Sequence, residues 1–138
     1  MAVELLKPAL DVGIVTMNTD KMLAFYRDVL GFETEEPITF PGIGTIHRLV
    51  VGESILRLFE PASAPPASAV NDSMHAATGI RYLTLVMNNL NDVIAACREF
   101  GVNVSSDPRE IRPGVVAMTI QDPDGNWLEM QGRLPAID

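Results

Sequence analysis

Two stretches, one late in each half of the chain, alternate between apolar and mixed positions with a period of two. In Ser54–Pro61, Leu56 and Leu58 fall on one side and Ile55, Arg57 and Phe59 on the other. In residues 126–131, Leu128 and Met130 fall on one side and Trp127, Glu129 and Gln131 on the other. Successive side chains of a strand point to opposite faces, so each stretch reads as a strand with one apolar face and one mixed face. Asp11–Met17 and Tyr82–Met87 read as strands too, with Asp11, Gly13 and Val15, and Tyr82, Thr84 and Val86, on their mixed faces.

A helical spacing follows each of these earlier strands. Met22, Phe25, Tyr26, Val29 and Leu30 recur at helical intervals after Asn18 or Thr19, which can cap, and Gly31 stops the pattern. Leu90, Val93, Ile94, Cys97 and Phe100 do the same after Asn89 or Asn91, and Gly101 ends the run. Thr45–Gly52 pairs with Ser54–Pro61 through a turn at Gly52–Glu53, and Gly114–Gln121 pairs with the last strand through Asp122-Pro123-Asp124-Gly125. Residues 33–44 and 102–113 each supply one more, weakly marked strand.

The two halves overlay almost without gaps: Asp11 on Tyr82, Gly31 on Gly101, Arg57 on Glu129. The prediction is an α+β fold of two tandem β-α-β-β-β modules, about residues 9–60 and 79–132, within one domain spanning 5–133. Residues 61–78, rich in Pro, Ala and Ser, read as an exposed linker, with His75 at the surface.

Composition narrows the class. The chain has 138 residues, 47% hydrophobic and 20% charged, which suits an ordinary globular domain. A net charge of −8 argues against nucleic acid and anionic membrane as partners, since both need a basic patch. The single cysteine, Cys97, allows no intrachain disulfide and no cysteine-rich zinc site. No basic stretch followed by an apolar run opens the chain, and no apolar run approaches the roughly 20 residues of a membrane span. A cytoplasmic setting is expected.

Residues 11–33 (DVGIVTMNTDKMLAFYRDVLGFE), 79–102 (GIRYLTLVMNNLNDVIAACREFGV) and, most specifically, 120–130 (IQDPDGNWLEM) resemble the vicinal oxygen chelate superfamily of glyoxalase I, bleomycin-resistance proteins, methylmalonyl-CoA epimerases and extradiol dioxygenases. That resemblance implies paired modules curling into a cup-shaped mixed sheet, with helices on the convex side, and a metal held by four positions. Those positions hold Asp11, Arg57, Tyr82 and Glu129 here; only Glu129 keeps the family's residue type. A phenol holds its proton at neutral pH, and a guanidinium is a permanent cation that repels a divalent ion. The expectation is therefore no metal and no cofactor, with a divalent ion as the alternative if Asp11 and Glu129 recruit a third ligand such as His47.

With strand parity, the resemblance implies a small-molecule pocket. Glu129, Arg57, Tyr82 and Asp11 form its polar centre. Ile55, Phe59, Trp127, Thr84 and Gln131 line it, with Val15 and Val86 adding to the apolar wall. The hairpin register leaves both His47 and Arg48 open, and His47 is assigned to the pocket. Arg57 suits a carboxylate or enolate, Tyr82 an oxyanion, and Glu129 or Asp11 the work of a general base. The chemistry expected is proton abstraction next to a carbonyl, as in an isomerase, epimerase or lyase. Arg57 and Glu129 hold equivalent positions on the last strands of the two modules, and the pairing of such modules implies that Glu129 meets Arg57. With Asp11 the two also fit a charge-compensated plug without activity, and Trp127 and Tyr82 also fit plain packing. The alternative function is a non-catalytic drug-binding protein of the bleomycin-resistance kind, whose acidic surface would suit a cationic drug. A homodimer is expected, because an unpaired sheet edge is a liability.

Overall fold

The structure is a computed structural model and describes residues 1–133. The chain divides into two compact units, residues 1–67 and 68–138. Each is a β-α-β-β-β module with its own curved mixed sheet, so the fold is the α+β arrangement expected from the repeat.

In the first module β1 (Val12–Val15) lies parallel to β5 (Ser54–Pro61), which pairs antiparallel with β4 (Gly44–Val51). β2 (Glu33–Thr34) and β3 (Ile38–Phe40) both pair with β4. The single strand expected over 33–44 is split there. Pro37 sits in the gap between the two pieces, and a proline has no N–H to give a ladder.

The second module repeats this order. β6 (Tyr82–Val86) lies parallel to β9 (Trp127–Arg133), then come β8 (Val115–Gln121) and β7 (Arg109–Arg112). The repeat holds at the level of register: Gly13 pairs with Arg57 as Thr84 pairs with Glu129.

The helices differ. α2 (Leu90–Phe100) is a regular helix ended by Gly101 at φ 99°, the left-handed turn for which glycine has no steric cost. α1 (Thr19–Leu23) runs into a π-helical segment, Ala24–Val29, where the Leu30 N–H reaches back five residues to the Phe25 carbonyl at 2.9 Å. The wider turn keeps Phe25 and Tyr26 buried edge to face, 4.9 Å between ring centroids. Asn18 and Asn89 occupy the N-cap positions, but neither side chain makes the capping bond expected of it.

The apolar rows fill the helix side of each sheet. Leu56, Leu58 and Leu49 lie with Met22 and Phe25 in the first module's core; Leu128, Met130 and Ile120 lie with Ile94 and Cys97 in the second. Burial pushes the Cys97 thiol up to about 11, as suits a packed, unreactive sulfur. No helix among the described residues is long and apolar enough to cross a membrane.

The linker is not uniform. Residues from Val70 onward belong to the second module. The Arg81 guanidinium donates to the carbonyls of Val70, Ser73 and Met74. The Asn71 carbonyl accepts from Trp127 Nε1 and Gln121 Nε2, both at 3.2 Å. His75 is exposed.

Candidate functional site

The second module's mixed face is built by two parallel neighbours. β6 contributes Tyr82, Thr84 and Val86; β9 contributes Trp127, Glu129 and Gln131 at matching register. Glu129 Oε1 accepts from Thr84 Oγ1 at 2.9 Å and from Gln131 Nε2 at 3.1 Å. Its other oxygen takes no hydrogen bond from the described residues. The carboxylate is thus aimed by two neutral donors and keeps one oxygen open. Tyr82, 48% exposed, stands beside Trp127, whose ring is fixed by its bond to Asn71.

The first module's mixed face holds charge instead. Arg57 Nη1 donates to Asp11 Oδ2 at 2.8 Å. Asp11 Oδ1 accepts from Lys7 Nζ at 2.7 Å and from the Ile55 N–H at 2.8 Å. The Lys7 ammonium, then the Ile55 amide and the Arg57 guanidinium, hold the Asp11 carboxyl far below the usual carboxylate range. A carboxylate so stabilised is a poor proton acceptor at neutral pH, so the general-base role open to Asp11 in the sequence does not suit it. Asp11 fixes Arg57. The expectation that Glu129 meets Arg57 is corrected: Arg57 pairs with Asp11, just before β1 of its own module, and Glu129 is held by Thr84 and Gln131.

The assignment of His47 to the pocket face is corrected by the hairpin. The turn at Gly52–Glu53 pairs Val51 with Ser54, and the ladder then sets Arg48 opposite Arg57 and His47 opposite Leu58. Directly paired residues point to the same face. His47 therefore lies on the helix side, with Nε2 3.8 Å from Glu60 Oε1, and Glu60 accepts from Thr19 Oγ1 at 3.0 Å. Arg48, which the sequence left as the alternative, shares the face of Arg57. It is tied to Glu35 Oε1 at 3.1 Å and to the Glu36 carbonyl at 2.8 Å.

Ile55 and Phe59 lie on that same face. The Phe59 ring leans over Gly44, where a Cβ would come within 2.7 Å of it and 2.4 Å of the Glu60 carbonyl oxygen. Only a glycine allows this approach. A shallow groove in this module, lined by Met17, Phe40, Pro41, Thr45 and Glu60, contains none of the predicted site residues.

The sequence model of the Glyoxalase/Bleomycin resistance protein/Dioxygenase superfamily matches residues 10–130. The chain belongs to this superfamily. It is similar to the mitochondrial methylmalonyl-CoA epimerase of Bos taurus, 25% identical over 101 residues, covering 72% of this chain and 58% of that protein. The match thus spans little more than half of the relative's length. Among solved structures, a glyoxalase family protein from Bacillus cereus shares the fold at a TM-score of 0.82 and 15% identity, covering 96% of this chain and 97% of that one. The trypanothione-dependent glyoxalase I of Leishmania major does so at 0.70 and 19%, covering 93% and 88%.

Membership in the superfamily raises the question of a metal at the four matched positions. The first module's pair does not fit a divalent ion. Asp11 has both oxygens engaged, and Arg57 brings a fixed positive charge beside it. In the second module Tyr82 offers a phenol and Glu129 a carboxylate. Among the described residues no three or more His, Cys, Asp or Glu side chains gather to hold a metal ion.

Proposed function

We propose that this superfamily member is a small-molecule enzyme of the isomerase or epimerase type that works without a metal, with Glu129 as its base. The observation that carries the reading is the state of the Glu129 carboxylate: one oxygen is anchored by Thr84 and Gln131, the other is open on the mixed face of β9. An anchored carboxylate with one open oxygen is a positioned proton acceptor. It takes a proton from the carbon next to a substrate carbonyl and returns it, and inversion follows when the enolate turns its other face to the carboxylate. Tyr82 donates a hydrogen bond to the enolate oxygen that develops, and Trp127 gives the apolar substrate wall a rigid surface. A lyase follows if the enolate expels a leaving group instead. The similarity to methylmalonyl-CoA epimerase supports the isomerase branch.

The test is deuterium wash-in at the α-carbon of a panel of ketones and acyl thioesters in D2O, read by NMR or mass spectrometry. The metal-free protein should catalyse exchange on at least one of them. Glu129→Gln should lose about 10²–10⁴-fold of that rate, the usual contribution of a general base, while keeping its thermal midpoint. Exchange that needs added Zn, Ni, Mn or Fe sinks the metal-free part; full exchange in Glu129→Gln sinks the base assignment. Saturable binding of cationic drugs with no exchange favours the binding-protein reading, which the net charge of −8 also suits. A homodimer accompanies this proposal, since β1 and β6 each end their sheet with an edge that no strand among the described residues pairs. Light scattering giving a single 15.0 kDa chain at all concentrations refutes it.

A further inference from the structure

We infer that the mixed face of the first module beside Arg57 is a carboxylate-binding site, and that Gly13 is the residue that keeps it open. The strand registers set Gly13, Arg57 and Arg48 in one row across β1, β5 and β4. The middle member is underused. Arg57 gives Nη1 to Asp11, while Nε and Nη2 donate to nothing among the described residues. Those two groups form the edge of a guanidinium that grips a carboxylate through two parallel hydrogen bonds.

The surroundings favour an anion. Lys7 and Arg57 share the single charge of Asp11, so that cluster is left net positive. Arg48 faces Arg57 directly, and like charges directly opposite repel. Arg48 is drawn away to Glu35 and the Glu36 carbonyl, and its Nε is buried with no partner among the described residues. An anion on Arg57 relieves the repulsion between the two guanidinium groups.

Gly13 supplies the space. Its backbone does not have the positive φ that calls for glycine, and a Cβ built there meets nothing within 4 Å. Neither conformation nor crowding within the module demands a glycine, and glycine weakens a strand interior. The matching position in the second module is Thr84, whose hydroxyl fills the place beside Glu129 and bonds it. Where Thr84 completes Glu129, Gly13 leaves the flank of Arg57 bare, with room for a planar group against the sheet. The ligand class is an unesterified carboxylate. The inference reaches beyond proton transfer by Glu129 and does not depend on it.

The experiment titrates the protein with propionate and follows the side-chain Nε–H signal of Arg57 by 15N NMR, assigned by its loss in Arg57→Lys. Sodium chloride at equal ionic strength and neutral propionamide are the controls. Wild type should give a saturable shift with propionate only. Gly13→Val should bind propionate about tenfold more weakly while its thermal midpoint stays level or rises; Gly13→Ala gives a milder version of the same change should valine disturb the fold. A shift matched by chloride or propionamide, no saturable shift in wild type, or unchanged affinity in the folded Gly13 variants overturns the inference. The readout sits on Arg57 alone, so the deuterium experiment on Glu129 is decided separately.

Discussion

The two modules share a frame and differ in what they hang on it. Their helix-facing rows are nearly the same: Leu56 matches Leu128, Leu58 matches Met130, and all four are buried. Their outward rows share nothing: Ile55, Arg57 and Phe59 stand where the second module has Trp127, Glu129 and Gln131. The core side must exclude water and fill volume, which a small set of apolar residues does equally well. The outward side carries no such demand, so there one module has become a charged cluster around Arg57 and the other a neutral setting for one carboxylate. A duplicated fold thus offers two equivalent places for different chemistry.

The two modules also hold their helices differently. Thr19 and Leu90 both begin their helices, and Glu60 and Gly132 are the matching residues on the last strands. The first module joins them by a hydrogen bond, Thr19 Oγ1 to Glu60; the second lets Leu90 lie directly on Gly132, where a Cβ would sit 2.9 Å from the Leu90 Cβ. Gly132→Ala should therefore cost about 1–3 kcal/mol by overpacking. Glu60→Ala should cost about 0.5–1.5 kcal/mol, the worth of one exchanged hydrogen bond. Urea titrations rank the two. Gly132→Ala at wild-type stability would mean the helix shifts freely and the contact is loose.

The segments that lead into β1 and β6 differ as well. The second module's lead-in is pinned by Arg81 to three carbonyls and by Trp127 and Gln121 to Asn71. Arg81→Ala should lower stability by about 1 kcal/mol. It should also free Trp127, the chain's one tryptophan, so that its fluorescence is quenched more readily by acrylamide. Unchanged quenching would show that the strap does not hold the ring.

These features were unequally legible. Strand parity and the repeat follow from side-chain period, so the buried leucine rows, the two outward rows and the module order could all be read in advance. The His47 error was avoidable: a two-residue turn at Gly52–Glu53 pairs Val51 with Ser54, and counting back sets Arg48 against Arg57. The strap was not legible. Its bonds end on backbone carbonyls of Val70, Asn71, Ser73 and Met74, which leave no mark in a Pro- and Ala-rich composition. The π-helical turn was equally hidden, because Phe25 and Tyr26 fit a helical spacing whether the turn is wide or regular. The expected pairing of Arg57 with Glu129, taken from their matching positions in the repeat, was wrong: Arg57 bonds Asp11. Parallel pairing decides it, by setting the start of β1 beside Ile55 and Arg57.

The smallest predicted effect separates the modules by pH. Asp11 has its pKa lowered in the folded chain by Lys7, the Ile55 amide and Arg57. At neutral pH the carboxylate is ionised in both folded and unfolded chains, and its contribution to stability is fully present. As pH falls through the ordinary aspartate value near ~3.9, the unfolded chain takes up the proton first and the contribution is lost. Wild type should therefore exceed Asp11→Asn in stability at pH 7, and the gap should narrow steadily from about pH 4 downward. Salt should narrow it too, because the cluster is only partly shielded from water. Tyr82→Phe, at the matching residue of the second module, is the control, and its gap from wild type should stay flat. Urea midpoints across that range measure both. A gap for Asp11→Asn that is the same at pH 7 and pH 2.5 would mean that the Asp11 charge does not hold the Arg57 side together, and the contrast between a charged and a neutral module would lose its energetic basis.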